Sequence, residues 1–93
     1  MGQYTVVISS KARKELRFHH KSGNKSDIRK IEQIFLELSE TPYEGTGAPE
    51  PLKYQMSGYW SRRINLKDRI IYRVFEDKVL VLVVSAIGHY GDK

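Results

Sequence analysis

Tyr59-Trp-Ser-Arg-Arg-Ile-Asn-Leu66, Lys67-Asp68, Arg69-Ile-Ile-Tyr-Arg-Val-Phe75, Glu76-Asp-Lys78, Val79-Leu-Val-Leu-Val-Val84 is the stretch on which the fold turns. Three runs rich in β-branched and aromatic residues are parted by two short polar turns. That pattern predicts three strands in an antiparallel meander. The run 79–84 contains no polar residue, so a central strand covered on both faces is expected. Upstream, residues 52–56 read as a further strand and Ser57-Gly58 as a turn.

Working outward, Tyr4-Thr-Val-Val-Ile8 is β-branched and aromatic, and reads as a strand. Ser9 or Ser10 then caps a helix starting near Lys11, with Ala12, Leu16 and His19 or His20 on one face and Lys11, Arg13, Lys14, Arg17 and Lys21 on the other. Ser22-Gly-Asn24 makes a turn. A second helix, capped by Asn24 or Ser26, runs to about Glu40 and carries an apolar stripe of Ile28, Ile31, Ile34, Phe35 and Leu38. Pro42 stops it. Strand, two helices, then a meander is an α+β order, with a helical hairpin laid on a sheet.

The 93 residues form one small domain. The net charge of +5 favours a polyanionic partner, nucleic acid or an acidic protein. The chain has no cysteine, which excludes disulfides and thiolate metal ligands and suits a reducing cytoplasm. The apolar run at residues 3–8 is too short for a membrane span or a signal h-region. His19 and His20 are adjacent and diverge by about 100° on a helix, so they are not a metal-ligand pair.

Between helix and meander, Glu44-Gly-Thr-Gly-Ala-Pro-Glu50-Pro-Leu-Lys53 is punctuated by glycine and proline, and no regular structure is expected at residues 44–51. No Gly-Lys-Ser/Thr follows, which excludes a P-loop. Pro49 and Pro51 stiffen the backbone around Glu50. His89 is the chain's natural titrating group near neutral pH. An acid and a base from distant segments, with Arg63 and Arg69 as cations, suit RNA cleavage by the neighbouring 2′-hydroxyl. Tyr54, Tyr59, Trp60 and Tyr90 are aromatics able to stack on splayed bases. No metal is needed in this scheme. Each residue also has a plainer reading: Glu50 as a solvated turn residue, His89-Tyr90 as a surface pair, Arg69 paired with Glu76 or Asp77, Trp60 as a core anchor. Arg62 and Arg63 alternate faces, so one of them at most enters a given cleft and the other is expected to be a surface charge.

Residues 41–72 resemble the YoeB toxins of the RelE/ParE superfamily. The blocks that carry this are Thr41-Pro-Tyr-Glu-Gly45, Gly47, Pro49-Glu-Pro-Leu-Lys53, Ser57-Gly-Tyr-Trp-Ser-Arg-Arg-Ile64, and Arg69 with Tyr72. The His89-Tyr90 pair matches too. The resemblance implies a single domain over residues 1–93, with a helical hairpin on a twisted, mostly antiparallel sheet. It implies a cytoplasmic bacterial toxin that cleaves mRNA in the A site of the 70S ribosome without a cofactor. In those roles Glu50 is the general base, His89 the general acid and Arg69 the transition-state stabiliser. Arg63 and Lys53 engage phosphate, Tyr90 orients the mRNA, and Trp60 joins the RNA-binding set. The implied partner is an acidic YefM-like antitoxin, and a homodimer stays open. Two other classes remain: a ribosome- or RNA-binding inhibitor that does not cut, and a ParE-like gyrase inhibitor. Gly91-Asp-Lys93 after the His-Tyr pair, and Ala86-Ile-Gly88 before it, depart from the family pattern.

Overall fold

The computed structural model describes residues 3–88. Five strands form one sheet in the order β1-β5-β4-β3-β2. They are β1 (Thr5–Ile8), β2 (Glu50–Pro51), β3 (Tyr59–Arg63), β4 (Arg69–Phe75) and β5 (Leu80–Ser85). The β2–β3–β4–β5 pairings are antiparallel, and β1 lies parallel to β5. A parallel pair needs a long crossover, and two helices, α1 (Ser10–Ser22) and α2 (Lys25–Leu38), open that connection.

The helices begin and turn as their capping residues dictate. The Ser9 hydroxyl accepts from the Ala12 N–H, and the Asn24 side chain accepts from the Asp27 N–H. Gly23, at φ 75°, closes α1 in the left-handed region. Ala12, Ile31, Ile34 and Leu38 bury against Ile64, Ile70, Tyr72, Val81 and Val83, with Leu16, Phe35, Trp60 and Val74 packed around them. Ile34 and Leu38 are wholly buried; cutting either to alanine costs about 2–5 kcal/mol.

Four expectations change. Residues 52–56 are not a strand: a 3-10 turn spans Tyr54–Met56, and the pairing segment is instead Glu50–Pro51. That pairing also overturns the expectation of no regular structure at residues 44–51. Pro51 is tolerated because β2 is an edge strand with β3 as its one neighbour. Strand β3 stops at Arg63 because the Asn65 side chain accepts from the N–H groups of Lys67 and Asp68 and bends the chain. Strand β5 is interior to the sheet but not covered on both faces. Val81, Val83 and Ser85 are buried, while Leu80, Leu82 and Val84 are half-buried, because both helices lie on one side.

Candidate active site on the open face of the sheet

Alternation along β3 and β4 sorts their residues onto two faces. Trp60, Arg62, Ile64, Ile70, Tyr72 and Val74 belong to the helix side. Tyr59, Ser61, Arg63, Arg69, Ile71 and Arg73 belong to the open side. The register sets Glu50 beside Ser61, Ser61 beside Ile71, and Arg63 beside Arg69. Glu50 and Arg69, nineteen positions apart in sequence, therefore meet across β3.

The Arg69 guanidinium donates through Nη1 to Glu50 Oε2 at 3.4 Å and to the Ser61 hydroxyl at 3.4 Å. Both bonds are long. The Glu50 side chain is 59% exposed and that of Arg69 25%. The pair is thus wet and loosely held, which leaves the carboxylate able to accept another proton donor. Arg63 is exposed and directly opposite Arg69. Like charges at facing positions destabilise a sheet unless an anion sits between them. Lys53 is exposed and opens the 3-10 turn just after β2.

The loop that delivers Glu50 is fixed from below. Arg62 is wholly buried. It donates to Glu37 Oε1 at 2.7 Å, to the carbonyls of Thr41 at 2.7 Å and Glu44 at 2.9 Å, and to the Tyr72 hydroxyl at 3.2 Å. The Tyr72 hydroxyl in turn donates a hydrogen bond to the Pro42 carbonyl at 2.7 Å. Glu37 also receives the Thr46 N–H and hydroxyl and the Gln33 amide. Burial alone would raise the Glu37 carboxyl, but the bonds from Gln33, Thr46 and Arg62 outweigh it and hold it at about 2. Gly45 and Gly47 allow the close approach: a Cβ on Gly45 would overlap the Glu37 carboxylate, and one on Gly47 would stand 2.9 Å from the Arg63 carbonyl oxygen. Arg62 is therefore not the surface charge expected of it. A guanidinium in the core is stable because its five donors meet a carboxylate and four other oxygen acceptors, the Thr46 carbonyl at 3.4 Å among them.

The chain leaving β5 is held group by group. Ala86 N–H donates to Glu15 at 2.6 Å, and the His19 ring Nε2 donates to the Ala86 carbonyl at 2.7 Å. Gly88 N–H donates to Asp68 Oδ1 at 2.9 Å, and the Gly88 carbonyl accepts from the Arg69 N–H at 3.0 Å. His89 and Tyr90, the expected acid and its neighbour, lie outside the described residues. What is described is the anchoring of the residue before His89 onto Arg69.

Trp60 lies on the helix side of the sheet and not on this face. It packs with the core on the helix side, its ring 5.0 Å from that of Tyr43. Arg69 pairs with neither Glu76 nor Asp77; Glu76 instead accepts from the hydroxyls of Tyr4 and Tyr43. Sequence reasoning missed Ser61, although its i, i+2 spacing to Arg63 already put both on one face. It also missed Asp68 and the buried role of Arg62, for which no local signal exists. Among the described residues no group of three His, Asp or Glu side chains is arranged to hold a metal ion. No described helix is long and apolar enough to cross a membrane.

Set beside solved structures, this sheet, helix pair and open-face cluster have the fold of a YoeB/ParE-type toxin. The YoeB/ParE toxin from Agrobacterium tumefaciens superposes with a TM-score of 0.83 at 32% identity, covering 92% of this chain and 99% of that one. YoeB from Staphylococcus aureus is similar as a dimer (TM-score 0.78, 28% identity, 95% and 99% covered) and in its complex with YefM (0.76, 30%, 94% and 98%). Toxin YoeB of a Synechocystis species is 35% identical over 80 residues, 82% of this chain and 91% of that protein. The chain belongs to the YoeB-like toxins of bacterial type II toxin–antitoxin systems, whose family model matches residues 9–90.

Proposed function

We propose that this toxin is a ribosome-dependent mRNA endoribonuclease acting by general acid–base catalysis. The observation that carries the reading is the meeting of Glu50 and Arg69 on the open face, with the Gly88 carbonyl bonded to the Arg69 N–H. It supports a centre in which the residue after Gly88 works beside that pair. The Glu50 carboxylate takes the proton of a 2′-hydroxyl, and the 2′-oxygen attacks the adjacent phosphorus. Arg69 neutralises the charge that builds on the phosphorane oxygens. His89 gives a proton to the departing 5′-oxygen. The products are a 2′,3′-cyclic phosphate and a 5′-hydroxyl, and the balance needs no metal. Arg63 and Lys53 hold flanking phosphates, which relieves the repulsion between Arg63 and Arg69. Tyr90 orients the mRNA.

The substrate in this reading is mRNA in the A site of the 70S ribosome, in the bacterial cytoplasm. The regulating partner is an acidic YefM-like antitoxin, supported by the YefM complex of the S. aureus relative. A homodimer is supported by the dimeric S. aureus structure and is tested by light scattering. Programmed 70S ribosomes with the purified chain, followed by primer extension and end-group analysis, test the chemistry. Cleavage leaving 5′-hydroxyl ends, reduced about 10²–10⁴-fold by Glu50→Ala and by His89→Ala, is expected. Uncut mRNA with translation blocked would shift the function to binding alone. Intact mRNA with DNA supercoiling inhibited would shift it to gyrase.

A further inference from the structure

We propose that Tyr59, Arg73 and Phe75 form a second RNA subsite, which takes a single-stranded nucleotide flanking the cleaved step. The inference rests on the proposed nuclease reading for its substrate and on a separate cluster for its geometry. Arg73 is exposed on the open face, beside Tyr59 in the register. Its Cζ stands 5.5 Å from the Tyr59 ring centroid and 5.1 Å from that of Phe75. Lys78 adds a second cation 5.9 Å from the Phe75 ring.

Among the described residues the Arg73 side chain has no carboxylate partner and no hydrogen bond, in contrast to Arg62 and Arg69 on the same two strands. Its N–H donors are therefore available, while the two rings restrict the plane of the guanidinium. A planar, pre-oriented fork loses little freedom when it meets a phosphate. Aromatic faces and guanidinium planes are also the surfaces on which unpaired bases stack.

Position gives the subsite its partner. The Tyr59–Arg73 pair lies one pleat repeat from the Ser61–Ile71 pair, so the two rows are about 7 Å apart. Arg73 itself is two repeats, about 13 Å, from Arg69 along β4. A strand of RNA held at Glu50 and Arg69 reaches the second row within its next few nucleotides. An acidic polypeptide would also meet a free arginine, but the flanking rings favour a base-bearing polyanion.

The test is binding of the full chain to fluorescent 2′-O-methyl RNA, whose blocked nucleophile prevents cleavage. A trinucleotide and an extended oligonucleotide are compared across a salt series. Arg73→Gln is expected to weaken the extended oligonucleotide about 3–10-fold, leave the trinucleotide unchanged, and lower the salt slope by about 1. Arg73→Lys keeps the slope but loses part of the affinity, and Tyr59→Leu loses affinity at unchanged slope. Unchanged thermal melting confirms that each variant folds. Equal binding by wild type and Arg73→Gln overturns the proposal. So does an equal loss for both lengths, and so does a loss confined to an acidic peptide probe. Cleavage on programmed ribosomes is scored separately. Failure of wild type to cut sinks the nuclease reading, while the length and salt dependence still judges the subsite.

Discussion

Arg62 and Arg63 are neighbours in sequence and opposites in environment. Arg62, on the helix side of β3, is wholly buried and bonded to Glu37, three loop carbonyls and Tyr72. Arg63, one residue on, is exposed and faces another arginine. Strand pleating alone separates them. On one face cations are saturated by protein acceptors and hold the fold together. On the other they are left short of acceptors, at a cost in stability, and are ready for an anion from outside. A sheet one residue thick thus divides a buried, saturated guanidinium from an exposed one.

The sharpest way to break this contrast is to remove one arginine from each side. Arg62→Met leaves Glu37 without its charge partner and frees the 41–47 loop. It should lower unfolding free energy by about 3–5 kcal/mol in urea titration. Arg69→Ala should act in the opposite sense, lowering cleavage about 10²–10³-fold with little change in stability. If Arg69→Ala destabilises as much as Arg62→Met, the division by face is wrong.

Acid should unmake the helix-side network first. The Glu37 carboxyl is held at about 2 against an ordinary value of 4.5. A depressed carboxylate contributes stability above its unfolded value and loses it as pH falls. The network should therefore be intact above about pH 4.5 and lose on the order of 3 kcal/mol on the way to pH 2. Circular dichroism melts across that window would show it. Glu37→Gln should be weaker at neutral pH and flatter in acid; an acid limb unchanged by the substitution would remove Glu37 from the account.

The smallest effect belongs to Arg63. Arg63→Gln should change stability by no more than about 0.5 kcal/mol, as a gain from relieved repulsion with Arg69. Its cost should appear in RNA affinity instead. A clear fall in melting temperature would show that Arg63 has a structural partner after all.

Much of this was legible beforehand. The caps at Ser9 and Asn24, the turn at Gly23, the α2 stripe and strand β4 follow from local rules, because capping, φ restriction and periodicity act over a few residues. The site was legible in part. Glu50, Arg63 and Arg69 stood out by charge and context, and the structure brings them onto one face. Trp60 lies on the other face, which the sequence did not show, since an aromatic in a strand has the same local signal on either face. The pairing of Glu50–Pro51 was hidden by its prolines, which read as loop until β3 is seen beside them.

The sequence by itself determined the α+β class, the two helices and their buried stripe, the basic charge and the family-like blocks around Glu50. These depend on order, periodicity and composition. The tertiary structure decided that Arg62 is a core residue, that Glu37 is its counter-ion, and that Asp68 and Arg69 anchor the chain at Gly88. It also decided that Arg73 lies over the rings of Tyr59 and Phe75. The reason is physical: each of these outcomes depends on register between strands or packing of a helix on a sheet, and both are set by contacts between residues far apart in the chain.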